Sequence, residues 1–426
     1  MSEIIVKGKN RLEGVLPIQG SKNSSLPILA ACVLVDGVSV LHNCPLLSDV
    51  DAAVRILEHL GCFVERDGHT LTVDSRGISC YNIPESLMRE MRSSIVFLGS
   101  LISRCKKARI FTPGGCEIGL RPIDLHLSAL RSLGVSIEDE GSALGFEVRK
   151  KLEGTVISLS FPSVGATENI ILASVFAEGR TTVLNAAREP EILDLAAFLN
   201  KCGCRIFVGS EGTVIIDGVK RAHSCEHTII PDRIVALTYM SAVACCSGDV
   251  LFEKADTSHF LSATGIFEAA GCRLETKKDS VRIVSSGKLK AVRDIRTLPY
   301  PGFPTDAQAP IGAMLCTAEG TSVIVENIFE NRFNHVGELV RMGARVKVEG
   351  RVAIIDGVES LHAANVRAVD LRGGGALVVA ALSARGKTVI SGLKHIDRGY
   401  EKIEECLQSL GAQIERSAED GKQKKE

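Results

Sequence analysis

The feature that most narrows the folds open to this chain is a junction between a helix end and a strand, repeated six times. The copies are Leu60-Gly-Cys-Phe-Val64, Leu133-Gly-Val-Ser-Ile137, Cys202-Gly-Cys-Arg-Ile206, Ala270-Gly-Cys-Arg-Leu274, Met342-Gly-Ala-Arg-Val346 and Leu410-Gly-Ala-Gln-Ile414. Their glycines, at 61, 134, 203, 271, 343 and 411, recur every 68 to 73 residues. Each fits the position just past a helix, where a positive φ is strained for most residues and free for glycine. A period this long and regular marks a repeated supersecondary unit.

A second junction precedes each first one: an apolar helix, a short turn and a β-branched strand. Ile28 to Val35 runs into Gly37-Val-Ser-Val-Leu41, and Ile170 to Phe176 into Gly179-Arg-Thr-Thr-Val-Leu184. Met240 to Cys246, Ile311 to Cys316 and Leu377 to Leu382 run into strands opened by Gly248, Gly320 and Gly386. The second copy, Ile95 to Ile102, carries Lys106-Lys107 in place of glycine. Closing strands such as Thr70-Leu-Thr-Val73 and Thr213-Val-Ile-Ile216 follow. Each unit therefore reads helix, strand, helix, strand, then one or two strands more. A chain of 426 residues exceeds one ordinary core, so six units divide into two equivalent α/β domains of three. The seam is expected near Ala222 to Ile230. Helices apolar on every side belong inside, with sheet around them.

The helix starts carry the chemistry. They are Ser21-Lys22-Asn23, Met91-Arg92-Ser93, Ser163-Val-Gly165, Asp232-Arg233, Thr305-Asp306 and Leu371-Arg372-Gly373. Ser, Thr and Asp explain themselves as caps. Lys and Arg do not, because a cation at a helix start opposes the dipole. Free N–H groups with added cations make anion sites, and a ligand with more than one anionic group is expected where they converge. Gly20-Ser-Lys22 is not a phosphate-binding P-loop, which ends Gly-Lys-Ser/Thr. Net charge is −1 with basic residues spread along the chain, and aromatics are 4% without Trp. That excludes a nucleic-acid footprint.

Most of the 14 cysteines sit among apolar neighbours, as buried thiols do. Their spacing is irregular, and they read as reduced thiols of a cytoplasmic protein. The start, MSEIIVKGKNRLEG, has no apolar signal region. The longest apolar helical runs fall short of the ~20 residues a membrane span needs. His223-Ser-Cys-Glu-His227 lacks a second ligand pair, so no metal is expected there. Cys202-Gly-Cys204 reads as packing, and the polar tail Arg416 to Glu426 as frayed. Cys116 is the exception among the thiols. Within Thr112-Pro-Gly-Gly-Cys-Glu-Ile-Gly-Leu-Arg-Pro-Ile-Asp-Leu-His-Leu127 it follows Pro-Gly-Gly on a glycine-hinged segment bearing Arg121.

Five motifs together resemble the UDP-N-acetylglucosamine enolpyruvyl transferase family over about residues 1–416. They are Gly20-Ser-Lys-Asn-Ser-Ser-Leu-Pro-Ile-Leu-Ala30, Pro113-Gly-Gly-Cys-Glu-Ile-Gly-Leu-Arg-Pro-Ile-Asp-Leu-His126, Tyr300-Pro-Gly-Phe-Pro-Thr-Asp306, Glu330-Asn-Arg-Phe-Asn-His-Val336 and His395-Ile-Asp-Arg-Gly-Tyr-Glu401. The resemblance implies two inside-out α/β domains, each of three repeated units with pseudo-threefold symmetry. Residues 22–229 would form the domain carrying the Cys116 lid loop. Residues 1–21 and 230–426 would form the one carrying Asp306 and Arg398, with the active site in the cleft between them. The reaction implied moves the enolpyruvyl group of phosphoenolpyruvate to the 3-hydroxyl of UDP-N-acetylglucosamine and releases phosphate, opening peptidoglycan synthesis. It needs no cofactor and no metal. The implied protein is a cytoplasmic monomer whose partners are these two small molecules, with no nucleic acid and no membrane.

Carried onto this chain, the family pattern makes Asp306 the base and Cys116 the proton donor to C3. Cys116 would also form the 2-(S-cysteinyl)pyruvic acid adduct and be the target of fosfomycin. Lys22, Arg121 and Arg398 would hold phosphate, with Arg332 and Arg372 near the carboxylate and Asn23 on the tetrahedral intermediate. The sugar nucleotide would meet Arg92, Arg121, Pro122, Ile123, Asp124, Leu125, Ser163, Val164, Asp306 and Ile328. Pro231-Asp-Arg-Ile-Val-Ala-Leu-Thr238 departs from the family at the hinge, where Val235 replaces a carboxylate and Leu237 a glycine. Phe161-Pro162 stands where some members carry a basic residue. Three alternatives stay open. A 5-enolpyruvylshikimate-3-phosphate synthase would lack Asn23 and the Cys116 loop. A catalytically weak sugar-nucleotide-binding regulator is motivated by the altered hinge. A Cys–His hydrolase would pair Cys116 with His126.

Overall fold

The computed structural model describes residues 2–111 and 123–417, apart from the Arg92 side chain. Cys116, Arg121, Pro122 and the tail beyond Ser417 lie outside the described residues. The described chain forms two compact units, residues 20–111 with 123–230, and residues 2–19 with 231–417.

Residues 20–230 hold three central helices, Lys22–Cys32, Phe97–Cys105 and Val164–Ser174, of which Phe97–Cys105 packs on both of the others. In Lys22–Cys32 every residue from Ser24 onward is buried, which is what a helix without a polar face requires. Three sheets wrap this core. Cys225–Thr228, Val38–His42, Thr70–Asp74 and Phe63–Asp67 make one, in that order. Val156–Ser158, Arg180–Leu184, Val214–Asp217 and Arg205–Val208 make the second, and Lys107–Phe111, Ala143–Glu147 and Ser136–Asp139 the third. The third sheet has no fourth strand among the described residues; a single parallel bridge from Asn82 to Arg109 stands in that place.

The other unit repeats the arrangement around Arg233–Cys245, Gln308–Leu315 and Leu371–Ser383, which pack on one another and are buried along almost their whole length. Its sheets follow the same order, a short parallel strand first, then the strand after the central helix, the closing strand, and the strand after the second helix. Glu13–Pro17, Asp249–Glu253, Ser280–Val284 and Arg273–Thr276 form one, and Ile295–Arg296, Thr321–Val325, Val352–Asp356 and Arg345–Glu349 another. In the last, Asn365–Arg367 and Lys387–Ser391 are followed by Glu3–Lys7 and then Gln413–Ser417. The closing strand of the sixth sheet thus comes from the opposite end of the chain.

All six repeat glycines adopt positive φ, from 88° at Gly343 to 103° at Gly61. At the second junction the left-handed residue varies. Lys106 takes it at φ 60° in the second copy, and Ser247 at φ 57°, beside Gly248, in the fourth. Val235 and Leu237, the two hinge departures, are fully buried in the Arg233–Cys245 helix. Both fill that core with apolar side chains. Among the described residues no helix is long and apolar enough to cross a membrane.

Candidate active site

Four of the six helix starts carry a side-chain cap, three of them the residue expected and the fourth Asp370, which the sequence reading does not name. Ser21 accepts from Ser24 N–H, Ser163 from Ala166 N–H, Asp232 from Ile234 and Val235 N–H, and Asp370 from Gly373 N–H. The other two, preceded by Met91 and Pro304, have no side-chain cap and open instead with 3-10 turns, Arg92–Val96 and Thr305–Ala307. Asp306 is therefore not the cap of its helix, and its carboxylate is turned to other use.

Within residues 231–417 the three starts converge. Asp306 Oδ1 accepts from Arg332 Nη2 at 2.5 Å, and its Oδ2 from Arg372 Nε and Nη2 at 3.2 and 2.9 Å. The side chain of Arg332 is 5% exposed and that of Arg372 4%, against 28% for Asp306. Arg332 lies over the Phe329 ring at 5.5 Å and Arg372 over Tyr400 at 5.8 Å, contacts that suit a planar guanidinium. Burial works against the Arg372 charge, but Asp306, Tyr400 and Asp232 outweigh it and leave its pKa raised. Arg332 Nε and Arg372 Nη1 are buried and have no hydrogen-bond partner among the described residues. Buried donors are rarely left so unless a ligand or ordered water takes them. Arg398 is half-buried in the turn that follows the short 3-10 helix Leu393–His395.

Ile328 sits at the far edge of this cluster, in the loop after the Thr321–Val325 strand. Its N–H donates to Glu326 Oε1 at 2.8 Å.

Residues 20–230 hold the second group. Lys22 opens its helix and reaches Asp49 Oδ2 at 3.2 Å, with Asp49 1% exposed. Asn23 is half-buried on the same first turn. Below it, Ser24 Oγ donates to Asp194, whose Oδ1 meets His227 Nε2 at 2.8 Å, all three residues being buried. The Arg92–Val96 turn and the Asp124–Ser132 helix both pack on the Val164–Ser174 helix. That brings Ile123, Asp124, Leu125, Ser163 and Val164 to one neighbourhood. His126 fixes it: its ring lies on Gly165, where an added Cβ would stand 3.3 Å away, and Nδ1 meets Asn169 Nδ2 at 2.9 Å. Burial lowers the pKa of His126 to about 4. It is a packed, neutral histidine, which removes the motive for pairing it with a thiol.

Of the described thiols, Cys80, Cys105, Cys225 and Cys406 are half-buried and the rest are core. Burial pushes Cys44, Cys62, Cys204 and Cys316 up to about 12, far from a thiolate at neutral pH. Cys202 and Cys204 pack as expected. His227, from the stretch first weighed for a metal, is committed to Asp194.

Three acids escaped the sequence reading. Asp49 falls on the apolar stripe of its helix with Ala53 and Leu57, four and eight residues on. Asp194 stands likewise four residues before the buried Phe198. Glu326 continues the inward parity of Ser322 and Ile324 one step past the strand end. An acid on an otherwise apolar face was the available signal in each case.

Residues 6–407 match the family model described as EPSP synthase (3-phosphoshikimate 1-carboxyvinyltransferase). A relative from Caldanaerobacter subterraneus subsp. tengcongensis named UDP-N-acetylglucosamine 1-carboxyvinyltransferase 2 is 52% identical, over 98% of this chain and all of its own length. One from Symbiobacterium thermophilum, named UDP-N-acetylglucosamine 1-carboxyvinyltransferase 1, is 47% identical over 97% of this chain and 94% of its own. Among solved structures, the enolpyruvyl transferase NikO from Streptomyces tendae superposes with a TM-score of 0.89 at 24% identity, covering 98% of this chain and 99% of that one. EPSP synthase from Acinetobacter baumannii gives 0.74 at 18%, over 98% of this chain and all of that one. These two likenesses are of fold.

Proposed function

The chain belongs to the EPSP synthase-type carboxyvinyltransferase family, and from that premise we infer that it transfers the enolpyruvyl group of phosphoenolpyruvate to the 3-hydroxyl of UDP-N-acetylglucosamine, releasing phosphate. It is a transferase of peptidoglycan synthesis. The observation that carries the reading is the Asp306 carboxylate held between two buried guanidiniums that each keep a further N–H unpartnered among the described residues. Such a pair suits a substrate carboxylate, and a carboxylate beside it can take the proton of an attacking hydroxyl.

In this reading Asp306 accepts the 3-hydroxyl proton as that oxygen bonds to C2 of phosphoenolpyruvate. Cys116 gives C3 its proton, then phosphate leaves as C3 loses one. Arg332 and Arg372 hold the carboxylate, and Lys22, Arg121 and Arg398 the phosphate. Asn23 hydrogen-bonds the tetrahedral intermediate. Arg92, Arg121, Pro122, Ile123, Asp124, Leu125, Ser163, Val164 and Ile328 contact the sugar nucleotide. The roles of Cys116, Arg121, Pro122 and the Arg92 side chain rest on the sequence motifs alone. The catalytic domains are taken as residues 22–229 and 1–21 with 230–426. The protein is taken as a cytoplasmic monomer, and reduced thiols suit that compartment.

The test is phosphate release by the purified protein. Release from phosphoenolpyruvate with UDP-N-acetylglucosamine, and none with shikimate 3-phosphate, is the expected result. The reverse preference would overturn the assignment.

A further inference from the structure

Glu326 is fully buried, yet its carboxylate accepts four hydrogen bonds from three separate segments. Oε1 takes Thr297 Oγ1 at 3.0 Å, Ile328 N–H at 2.8 Å and Phe329 N–H at 3.0 Å. Oε2 takes Thr305 Oγ1 at 2.9 Å. Thr297 in turn accepts Asn327 N–H at 2.8 Å, and its carbonyl accepts Asn327 Nδ2 at 3.1 Å. A buried carboxylate persists only when its lone pairs are filled by well-aligned donors, and these four donors fill them.

What the donors belong to is informative. Thr305 precedes Asp306 in a 3-10 turn that has no side-chain cap of its own. Ile328 carries one of the sugar-nucleotide contacts assigned above. Phe329 is the ring against which the Arg332 guanidinium lies. One charge therefore fixes the turn bearing the base, the loop bearing a substrate contact, and the platform of an arginine on the reacting carboxylate.

We propose that Glu326 is a positioning residue for the transfer reaction, setting the place of Asp306 through the Thr305 hydroxyl and that of the Ile328–Phe329 loop through its backbone N–H groups. The proposal rests on the assignment of the reaction made above. Its two arms act on different kinetic constants. The Thr305 arm acts on the chemical step, since displacing a general base by a fraction of an ångström costs rate. The loop arm acts on sugar-nucleotide binding.

The experiment measures phosphate release and thermal unfolding for the unaltered protein, Thr305→Val, Thr305→Ser and Glu326→Gln. Thr305→Val keeps the shape and deletes only the hydroxyl. It is expected to lower kcat about tenfold with KM for UDP-N-acetylglucosamine within twofold, while Thr305→Ser restores kcat to within twofold. Glu326→Gln keeps an oxygen for the loop N–H groups but loses the charge that strengthens them. It is expected to raise that KM about threefold or more. A purely structural role would lower the unfolding temperature of Thr305→Val without the split between kcat and KM. Folded Thr305→Val with unchanged kcat, in a background where the unaltered protein is active, would overturn the positioning role alone. An unaltered protein that is inactive with UDP-N-acetylglucosamine would overturn the reaction assignment and this role with it.

Discussion

Asp306 faces two cations and satisfies neither fully. Arg372 gives it two N–H groups from one edge, and Arg332 gives it one. A lysine at either place would present a point charge where the geometry uses a fork. Arg372→Lys is accordingly expected to raise KM for phosphoenolpyruvate about tenfold or more, with a smaller effect on KM for the sugar nucleotide. Steady-state kinetics varying each substrate in turn would check it, and an unchanged KM for phosphoenolpyruvate would speak against the carboxylate clamp. Arg372 stood out in the sequence because a cation at a helix start contradicts the dipole, whereas Arg332 came only from the motif Glu330-Asn-Arg-Phe-Asn-His-Val336. Glu326 and Asp49 were passed over, because a place on an apolar face marks an acid as buried without naming what it binds. Their partners include residues remote in the chain, Thr297 on Glu326 and Lys22 on Asp49.

At the scale of the element, the repeat was read correctly because its signal is local. A helix end needs a left-handed residue, glycine supplies it most easily, and the six glycines at positive φ are the visible trace. Gly343 illustrates how tightly this binds the sequence. Its φ is 88°, and an added Cβ would stand 2.4 Å from the His362 ring. Gly343→Ala is expected to destabilise the protein by about 1–3 kcal/mol, combining backbone strain with the clash. Urea unfolding would measure it, and an unshifted midpoint would refute it. Where the local signal is weaker, the sequence was less explicit. Lys106 and Ser247 adopt the left-handed conformation without being glycine, and the 3-10 openings before Phe97 and Gln308 had no sequence marker. The Cys116 segment lies outside the described residues, and the chemistry proposed for it rests on its sequence motif alone.

For the whole molecule, acid should act on both units at once. His126 in one and His335 in the other are each lowered to about 4. Burial is the main cause for both, with Arg332 lowering and Asp370 raising His335 as secondary effects. The ordinary value is 6.5, so between 6.5 and 4 the unfolded chain binds protons that the folded one does not. The stability these groups contribute is complete above 6.5 and is lost as pH falls toward 4. Each histidine accounts for on the order of 2–3 kcal/mol across that window. Urea midpoints measured from pH 7.5 to 5 should fall steadily, and a flat profile would contradict the burial of both rings.

The sixth sheet has a consequence in time. Its strand Glu3–Lys7 pairs on one side with Lys387–Ser391 and on the other with Gln413–Ser417. Ribosomes add roughly 5–20 residues per second, so this strand exists for roughly 20–80 s before either neighbour has been made. Residues 20–230 are synthesised whole during that wait. Glu3-Ile-Ile-Val-Lys7 thus waits for both of its partners, an apolar strand with both edges open throughout. The charged residues that bracket it, Glu3 and Lys7, are what a nascent chain offers against mispairing in the interval.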